Sequence, residues 1–254
     1  MKNSFDIIGD LHGCFDEMLA LLEKLGYVTD VSYEADPLAF PLGKWSLSHP
    51  EGRIPVFLGD MIDRGPKTPL CLAFVMDACE SGPAFCVCGN HDNSMLNRLT
   101  GKPADFMFGL DETLEELAAL PGEFTERVIA FVDGLASHYV FDEGRLVIAH
   151  GGLKEAFHGE YSDRERRFCV DGDATGEFDE YGRPILRDWV SDYHGNALVV
   201  YGHVVVKELK FVNNTIDIDT GCVFGGSLTA LRYPSEELVS VPAAKAYYTP
   251  KRVK

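Results

Sequence analysis

Five short apolar runs in this chain each end at a glycine that stands beside a side chain able to hold a metal ion. Phe5-Asp6-Ile7-Ile8 ends in Gly9-Asp10-Leu11-His12-Gly13, and Ile54-Pro55-Val56-Phe57-Leu58 ends in Gly59-Asp60-Met61-Ile62-Asp63-Arg64-Gly65. Ala84 to Cys88 ends in Gly89-Asn90-His91-Asp92, Leu146 to Ala149 in His150-Gly151-Gly152, and Leu198 to Tyr201 in Gly202-His203. Each run has the length and apolarity of a buried strand. The carboxyl ends of parallel strands are where open α/β sheets place their ligands. Glycine serves there because a residue without Cβ lets the backbone turn sharply and come close to an ion. A single Asp or His at a strand end is ordinary capping. Five at once predict an α/β fold with one shared ligand site along its strand ends.

The side chains at those ends are Asp10, His12, Asp60, Asn90, His91, His150 and His203. Carboxylate, imidazole and amide oxygen together suit a divalent ion such as Mn²⁺, Fe or Zn²⁺. No cysteine stands at any of these positions, which speaks against a closed structural zinc site. The ligands are too many for one ion that keeps an open position. They suit two ions sharing a bridging carboxylate, an arrangement that activates a water and clamps both oxygens of an in-line phosphoryl displacement.

The intervening sequence alternates with the strands. Cys14 to Gly26 is a predicted helix with an apolar stripe of Met18, Leu19, Leu21, Leu22 and Leu25, stopped by Gly26. Residues 28–53 read as a hairpin or long loop, Pro66 to Glu80 as a second helix, and roughly 93–135 as a helical insertion. Within it, Thr113-Leu114-Glu115-Glu116 fits a capping box. Residues 158–196 are polar, with Arg164, Arg166, Arg167 and Arg187. The tail reads as a β-meander over Leu209–Val212, Thr215–Asp219, Ser227–Arg232 and Leu238–Val241. Neither a linker nor a repeat divides the chain, so 1–254 is expected to form a single catalytic domain.

Charge narrows the partners. Forty acidic residues against 23 basic give −17, which argues against a general nucleic-acid surface or an anionic membrane. Seven irregularly spaced cysteines suit a reducing compartment, and Cys86 and Cys88 alternate as core residues of a strand. No run reaches the ~18 apolar residues of a membrane span, and no signal peptide is recognisable. A cytoplasmic protein is expected.

The motifs GDLHG, GDMIDRG, GNHD, AHGG and YGH, in this order over residues 9–203, resemble the phosphoprotein-phosphatase branch of the calcineurin-like metallophosphoesterases. A closer resemblance is to bacterial asymmetrical dinucleoside tetraphosphatases and to the phosphatase domain of bacterial RNA-repair polynucleotide kinase–phosphatases. It rests on CFDEMLALLEKLGY (14–27), GDATGEFDEYGRPILRDW (172–189) and IDIDTGCVFGGSLTALRYP (216–234).

The resemblance implies a four-layer α/β metallophosphoesterase fold, two packed mixed β-sheets flanked by helices. It implies that Asp10, His12 and Asp60 hold one metal, and that a bridging Asp60 with Asn90, His150 and His203 holds the other. Mn²⁺ is the expected ion, with Fe, Zn or Ni as alternatives. His91, oriented by Asp92, would protonate the leaving oxygen, Arg64 would grip the phosphoryl group, and Asp63 and Asp219 would support the site. Where relatives carry a second arginine before GNH this chain has Cys88, so a second substrate-binding cation is expected elsewhere: Arg187 first, then Arg166 and Arg167. The 28–53 segment also exceeds its counterpart in the relatives. The implied activity is metal-dependent hydrolysis of a small-molecule nucleotide, a dinucleoside tetraphosphate such as diadenosine tetraphosphate. The alternatives are a serine/threonine protein phosphatase, an RNA-end phosphomonoesterase, and an inactive metal-binding scaffold, which would need neither His91 nor Arg64.

Overall fold

The structure, a computed structural model, describes residues 4–32, 43–105, 107–181 and 184–250. Its elements run β1 (Phe5–Ile8), α1 (Phe15–Leu25), β2 (Val28–Ser32), β3 (Lys44–Ser48), β4 (Ile54–Phe57), α2 (Thr68–Ser81), β5 (Phe85–Cys86), α3 (Asn90–Leu99), α4 (Leu110–Ala118) and α5 (Gly122–Asp133). They continue with β6 (His138–Phe141), β7 (Leu146–Ala149), α6 (Asp163–Asp171), β8 (Ala174–Phe178), β9 (Pro184–Leu186), β10 (Leu198–Tyr201), β11 (Thr215–Asp217), β12 (Ser227–Tyr233) and β13 (Glu237–Pro242).

Two mixed sheets face each other. One has the order β13-β12-β1-β4-β5 and the other β11-β10-β7-β6. The strands that carry the motifs are parallel to their motif-bearing neighbours: β1 with β4, β4 with β5, and β7 with β10. The sheets meet through alternate residues of both, among them Ile7, Val56, Leu58, Ile148, Val200 and Ile218, all fully buried. Burial on both faces explains the uninterrupted apolarity of these runs. The outer face of the first sheet is covered by α1 and α2 through Met18, Leu22, Leu72 and Phe74. Phe168, Trp189 and Tyr193 cover that of the second. The layers are helix, sheet, sheet, and α6 with its loops, as the resemblance implies.

Local signals explain most of the element ends. Gly26 takes a left-handed φ of 97° and returns its N–H to the last turn of α1. The second helix starts at Thr68, two residues after Pro66, with Pro69 inside its first turn. Strands β2 and β3 pair as an antiparallel hairpin; the middle of the 28–53 segment, residues 33–42, lies outside the described residues.

Two expectations are corrected. The tail is not one meander. β11 runs parallel to β10 in the second sheet, and the β12–β13 hairpin crosses to the first sheet beside β1. Ile216 and Ile218 belong in the intersheet core, which forces the chain to leave one sheet before joining the other. Residues 209–212 contribute only an isolated bridge, between Val212 and Thr215. Thr113 does not open a helix: α4 begins at Leu110 behind Gly109, and Thr113 is a buried member of its first turn.

Candidate functional site

The loops after β1, β4, β5, β7 and β10 converge along one end of the two sheets. Ladder bonds extend just past the strands to hold them there: Leu58 N–H donates to the Ile8 carbonyl, Val87 N–H to Phe57 and Gly202 N–H to His150. Beyond that point the backbone is forced. His12, Asp60, Asp63, Arg64 and His203 all have positive φ, between 40° and 75°. Non-glycine residues rarely adopt such values unless the surroundings over-determine them, and they cluster at functional sites.

Two glycines show why the strand ends are punctuated as they are. A Cβ on Gly89 would stand 2.2 Å from Asp60 Oδ1, and one on Gly202 would stand 2.1 Å from Asp10 Oδ1. These positions need empty space rather than an unusual φ, since the carboxylates lie directly against the backbone.

Asp60 sits at the centre. Its Oδ2 lies 3.5 Å from His12 Nε2 and its Oδ1 lies 3.5 Å from His150 Nε2. It therefore belongs to two donor groups, His12–Asp60–His91 and Asp10–Asp60–His150, each with its ligating atoms within 4.8 Å of one another. Asn90 Oδ1 stands 3.0 Å from both His150 Nε2 and His203 Nδ1. Bonds from the opposite ring nitrogens set the tautomers: His12 Nδ1 faces the Ile62 carbonyl at 2.7 Å, and His150 Nδ1 faces the Leu58 carbonyl at 2.8 Å. Both must donate there, which leaves their Nε2 lone pairs turned inward.

The electrostatics call for cations. Asp10 and Asp60 are nearly fully buried, and burial raises both carboxyls, Asp60 to about 7. Asp219, itself pushed to about 6 by burial, adds repulsion to both. Burial pulls His150 down to about 4 and His203 to about 3. Asp10 Oδ1 has no hydrogen-bond partner among the described residues. An orphaned carboxylate oxygen, a second carboxylate shared by two groups, neutral imidazoles and an amide oxygen fit a pair of divalent ions, since buried like charges left unpaired are costly. All six residues expected as ligands lie in this one cluster.

Arg64, expected at the phosphoryl group, reaches the cluster too. Its Nη1 lies 3.1 Å from His12 Nε2, while its buried Nε–H has no partner among the described residues. His91 does not pair with Asp92, which corrects the expectation. Its Nδ1 donates to Asp63 Oδ2 at 2.5 Å, and Asp63 Oδ1 accepts from the Thr113 hydroxyl at 2.6 Å. Asp92 instead accepts from Gly89 N–H and Met61 N–H, both at 3.0 Å, capping α3 and tying it to the Asp60 loop. Consecutive helical residues point in different directions, so Asp92 cannot face the ring of its neighbour. Burial, followed by the charge of Arg64, holds His91 well below the usual imidazole range, and burial lifts Asp63 to about 8.

Thr113 is the residue that sequence reasoning missed. Its Thr-x-x-Glu pattern advertised a cap, and nothing local tied it to a loop 50 residues away. Gly109 packs there as well: a Cβ on it would meet Arg64 N at 2.5 Å. The arginines sort differently from the expected order. Arg187 bonds to Asp173 and the Ala174 carbonyl, and its side chain is more than half exposed. The Asp173 carboxylate holds it on the β8–β9 hairpin. Arg167 is exposed. Arg166 donates to the Leu135 carbonyl, and its charge reaches the Cys88 thiol.

Comparison with known proteins agrees with this geometry. The sequence profile of the calcineurin-like phosphoesterase family matches residues 4–207. A Bacillus subtilis (strain 168) protein named bis(5'-nucleosyl)-tetraphosphatase PrpE (asymmetrical) is 42% identical over 248 residues, spanning 96% of each chain. A Geobacillus thermodenitrificans protein of the same name is 41% identical over 250 residues, spanning 97% of each. Among solved structures, a serine/threonine phosphatase from Saccharomyces cerevisiae superposes with a TM-score of 0.59 at 14% identity, covering 95% of this chain and 80% of the other. At that identity the likeness concerns the fold alone.

Proposed function

The chain belongs to the calcineurin-like phosphoesterase family, and on that premise we propose that it hydrolyses a dinucleoside tetraphosphate off-centre, into a nucleoside triphosphate and a nucleoside monophosphate. One observation carries the reading: Asp60 stands between two donor groups while Arg64 and the His91–Asp63 pair close on the same cluster. Relatives that carry the tetraphosphatase name match nearly the whole chain, which supports the choice of substrate.

Asp10, His12 and Asp60 would hold one ion, and Asp60, Asn90, His150 and His203 the other, with Mn²⁺ the proposed metal. When bound, the two ions supply an activated water and neutralise charge on the phosphoryl oxygens. The remaining roles fall to the chain. Arg64 offers its unpartnered Nε–H and its terminal N–H groups to the phosphoryl oxygens, a planar match that an ammonium lacks. Asp63 holds the His91 ring through Nδ1 and would stabilise its imidazolium form, in which Nε2 also carries a proton that it can deliver to the departing oxygen. Asp219 accepts from Gly221 N–H, which fixes the loop that backs Asp10.

Seven free cysteines support a reducing, cytoplasmic setting, and no helix among the described residues is long and apolar enough to cross a membrane. The charge of −17 favours a small phosphorylated substrate over nucleic acid.

Comparing turnover of diadenosine tetraphosphate, a phosphoserine peptide and 2′- or 3′-phosphate-ended RNA, with Mn²⁺ and after chelation, tests the reading. The expected result is metal-dependent release of ATP and AMP with the highest kcat/KM on the tetraphosphate. A faster reaction on the peptide or the RNA end would overturn the substrate, and full activity after exhaustive chelation would overturn the metal centre.

A further inference from the structure

Beside the phosphoryl-gripping arginine lies a rim of aromatic rings that the hydrolytic chemistry does not use. The Arg64 guanidinium stands 5.5 Å from the Phe224 ring centre and 5.9 Å from that of Tyr248. The Phe224 and Tyr248 ring centres are 6.1 Å apart, and that of Phe108 lies 6.3 Å from Tyr248. All three rings are half-buried. Val205, two residues after His203, abuts the same turn and is 45% exposed. The rings come from three separate segments: Phe224 from the turn after β11, Phe108 from the approach to α4, and Tyr248 from the C-terminal segment.

That C-terminal segment is fixed in place. Tyr247 and Tyr248 N–H groups both donate to the Val223 carbonyl, and Glu17 Oε1 accepts from Ala244 N–H and the Tyr247 hydroxyl. With the backbone held this firmly, the Tyr248 ring has only its own rotamer freedom to lose when a ligand stacks on it. The rim is also continuous with the site, because one guanidinium touches both the rings and His12.

We propose that Tyr248, Phe224 and Phe108 seat the nucleobase attached to the phosphate under attack, and thereby fix which of the four phosphates stands at Arg64. The inference rests on the function proposed above and specifies its register. In a dinucleoside tetraphosphate the α-phosphate is one ribose from its base, whereas the β-phosphate is a phosphate further away. A base seated next to Arg64 therefore brings the α-phosphorus to the site. Water adds its oxygen to that phosphorus, the bond from phosphorus to the α–β bridging oxygen breaks, and the triphosphate leaves with the electron pair and takes up a proton. Without a seat at this distance nothing distinguishes the α-phosphate from its neighbours, and cleavage at the centre, yielding two diphosphates, becomes available. A purely structural role, in which the rings only brace Arg64, is the competing account.

Kinetics on Tyr248→Ala, Tyr248→Phe and Phe224→Leu separate the two. Base–aromatic stacking corresponds to roughly 5- to 150-fold in affinity. Tyr248→Ala is expected to lower kcat/KM for diadenosine tetraphosphate by about that factor beyond its effect on p-nitrophenyl phosphate, and to raise the share of ADP among the products. Phe224→Leu should act in the same sense, and Tyr248→Phe should keep the wild-type ratio. In the wild type, AMP should inhibit p-nitrophenyl phosphate hydrolysis more strongly than inorganic phosphate does. Equal losses on both substrates would show that the rings only brace Arg64, and AMP inhibiting no better than inorganic phosphate would overturn the seat even if a variant failed to fold. A wild type that does not cut the tetraphosphate off-centre would instead sink the functional reading itself.

Discussion

Asp63 is where three distant stretches of the chain meet, since it accepts from His91 on one oxygen and from Thr113 on the other. If His91 delivers the proton, its loss should tell most where the leaving group is poor. His91→Asn is expected to slow alkyl phosphates by about 10²–10⁴-fold. It should slow p-nitrophenyl phosphate far less, and bound metal should stay at the wild-type level. Equal slowing of both esters, or a lost ion, would remove His91 from that role. Thr113→Val leaves a buried Asp63 oxygen without its donor, at a cost of about 1–3 kcal/mol. Because the hydroxyl acts only through Asp63, the same dependence on leaving group should appear in weaker form, and Thr113→Ser, which keeps the hydroxyl, should behave as the wild type. Steady-state rates on an alkyl and an aryl ester, set beside a thermal unfolding curve, distinguish this from general destabilisation. The residues of the Asp60 cluster were legible because each stands in a short contiguous motif. The partner of His91 was not, because Asp63 lies 28 residues away whereas Asp92 is adjacent in sequence but turned aside on the helix.

At the scale of elements, the strand ends work because nothing but hydrogen fills the space between them and the carboxylates. Gly202 and Gly89 each leave room for a carboxylate oxygen about one methyl group away. Gly202→Ala should push Asp10 aside and lower both activity and the stoichiometry of bound metal, measured by elemental analysis. Gly122→Ala is the matched control. Its Cβ would meet nothing within 4 Å among the described residues, and it lies in the first turn of α5, so activity should hold and stability should not fall. Full metal content in Gly202→Ala would mean that Asp10 can reach an ion from another rotamer. Strands buried on both faces were readable from length and apolarity alone. The tail was not, because a run such as Thr215–Asp217 looks the same whichever sheet it joins, and only its parallel pairing with β10 decides. The start of α4 was misplaced for a related reason. Gly109 is required there by its close approach to Arg64, and sequence carries no sign of that contact.

For the molecule as a whole, the consequence is that the proposed ions would be shared between the two sheets. Asp10, His12, Asp60 and Asn90 come from the first sheet, while His150 and His203 come from the second. Without cations this junction gathers Asp10, Asp60, Asp217 and Asp219 in a buried space, within a chain already at −17. Ions that bind only the folded state stabilise it by RT ln(1 + [L]/Kd), about 2.7 kcal/mol at a hundred times Kd. For a chain of this size that corresponds to a rise in Tm on the order of 5–10 °C. Chelation should reverse the rise, and Asp10→Asn should separate its two parts. Removing one buried negative charge relieves repulsion in the metal-free protein, so the Tm of apo Asp10→Asn should equal or exceed that of the apo wild type. The same substitution deletes a ligand, so the gain on adding Mn²⁺ should shrink. The two curves should therefore cross: the variant no less stable without metal, the wild type more stable with it. Differential scanning calorimetry of both proteins, with and without Mn²⁺, measures all four values. If Asp10→Asn lowers Tm equally in both conditions, the Asp10 carboxylate is supporting the fold through its bond from His203 N–H rather than standing ready for an ion.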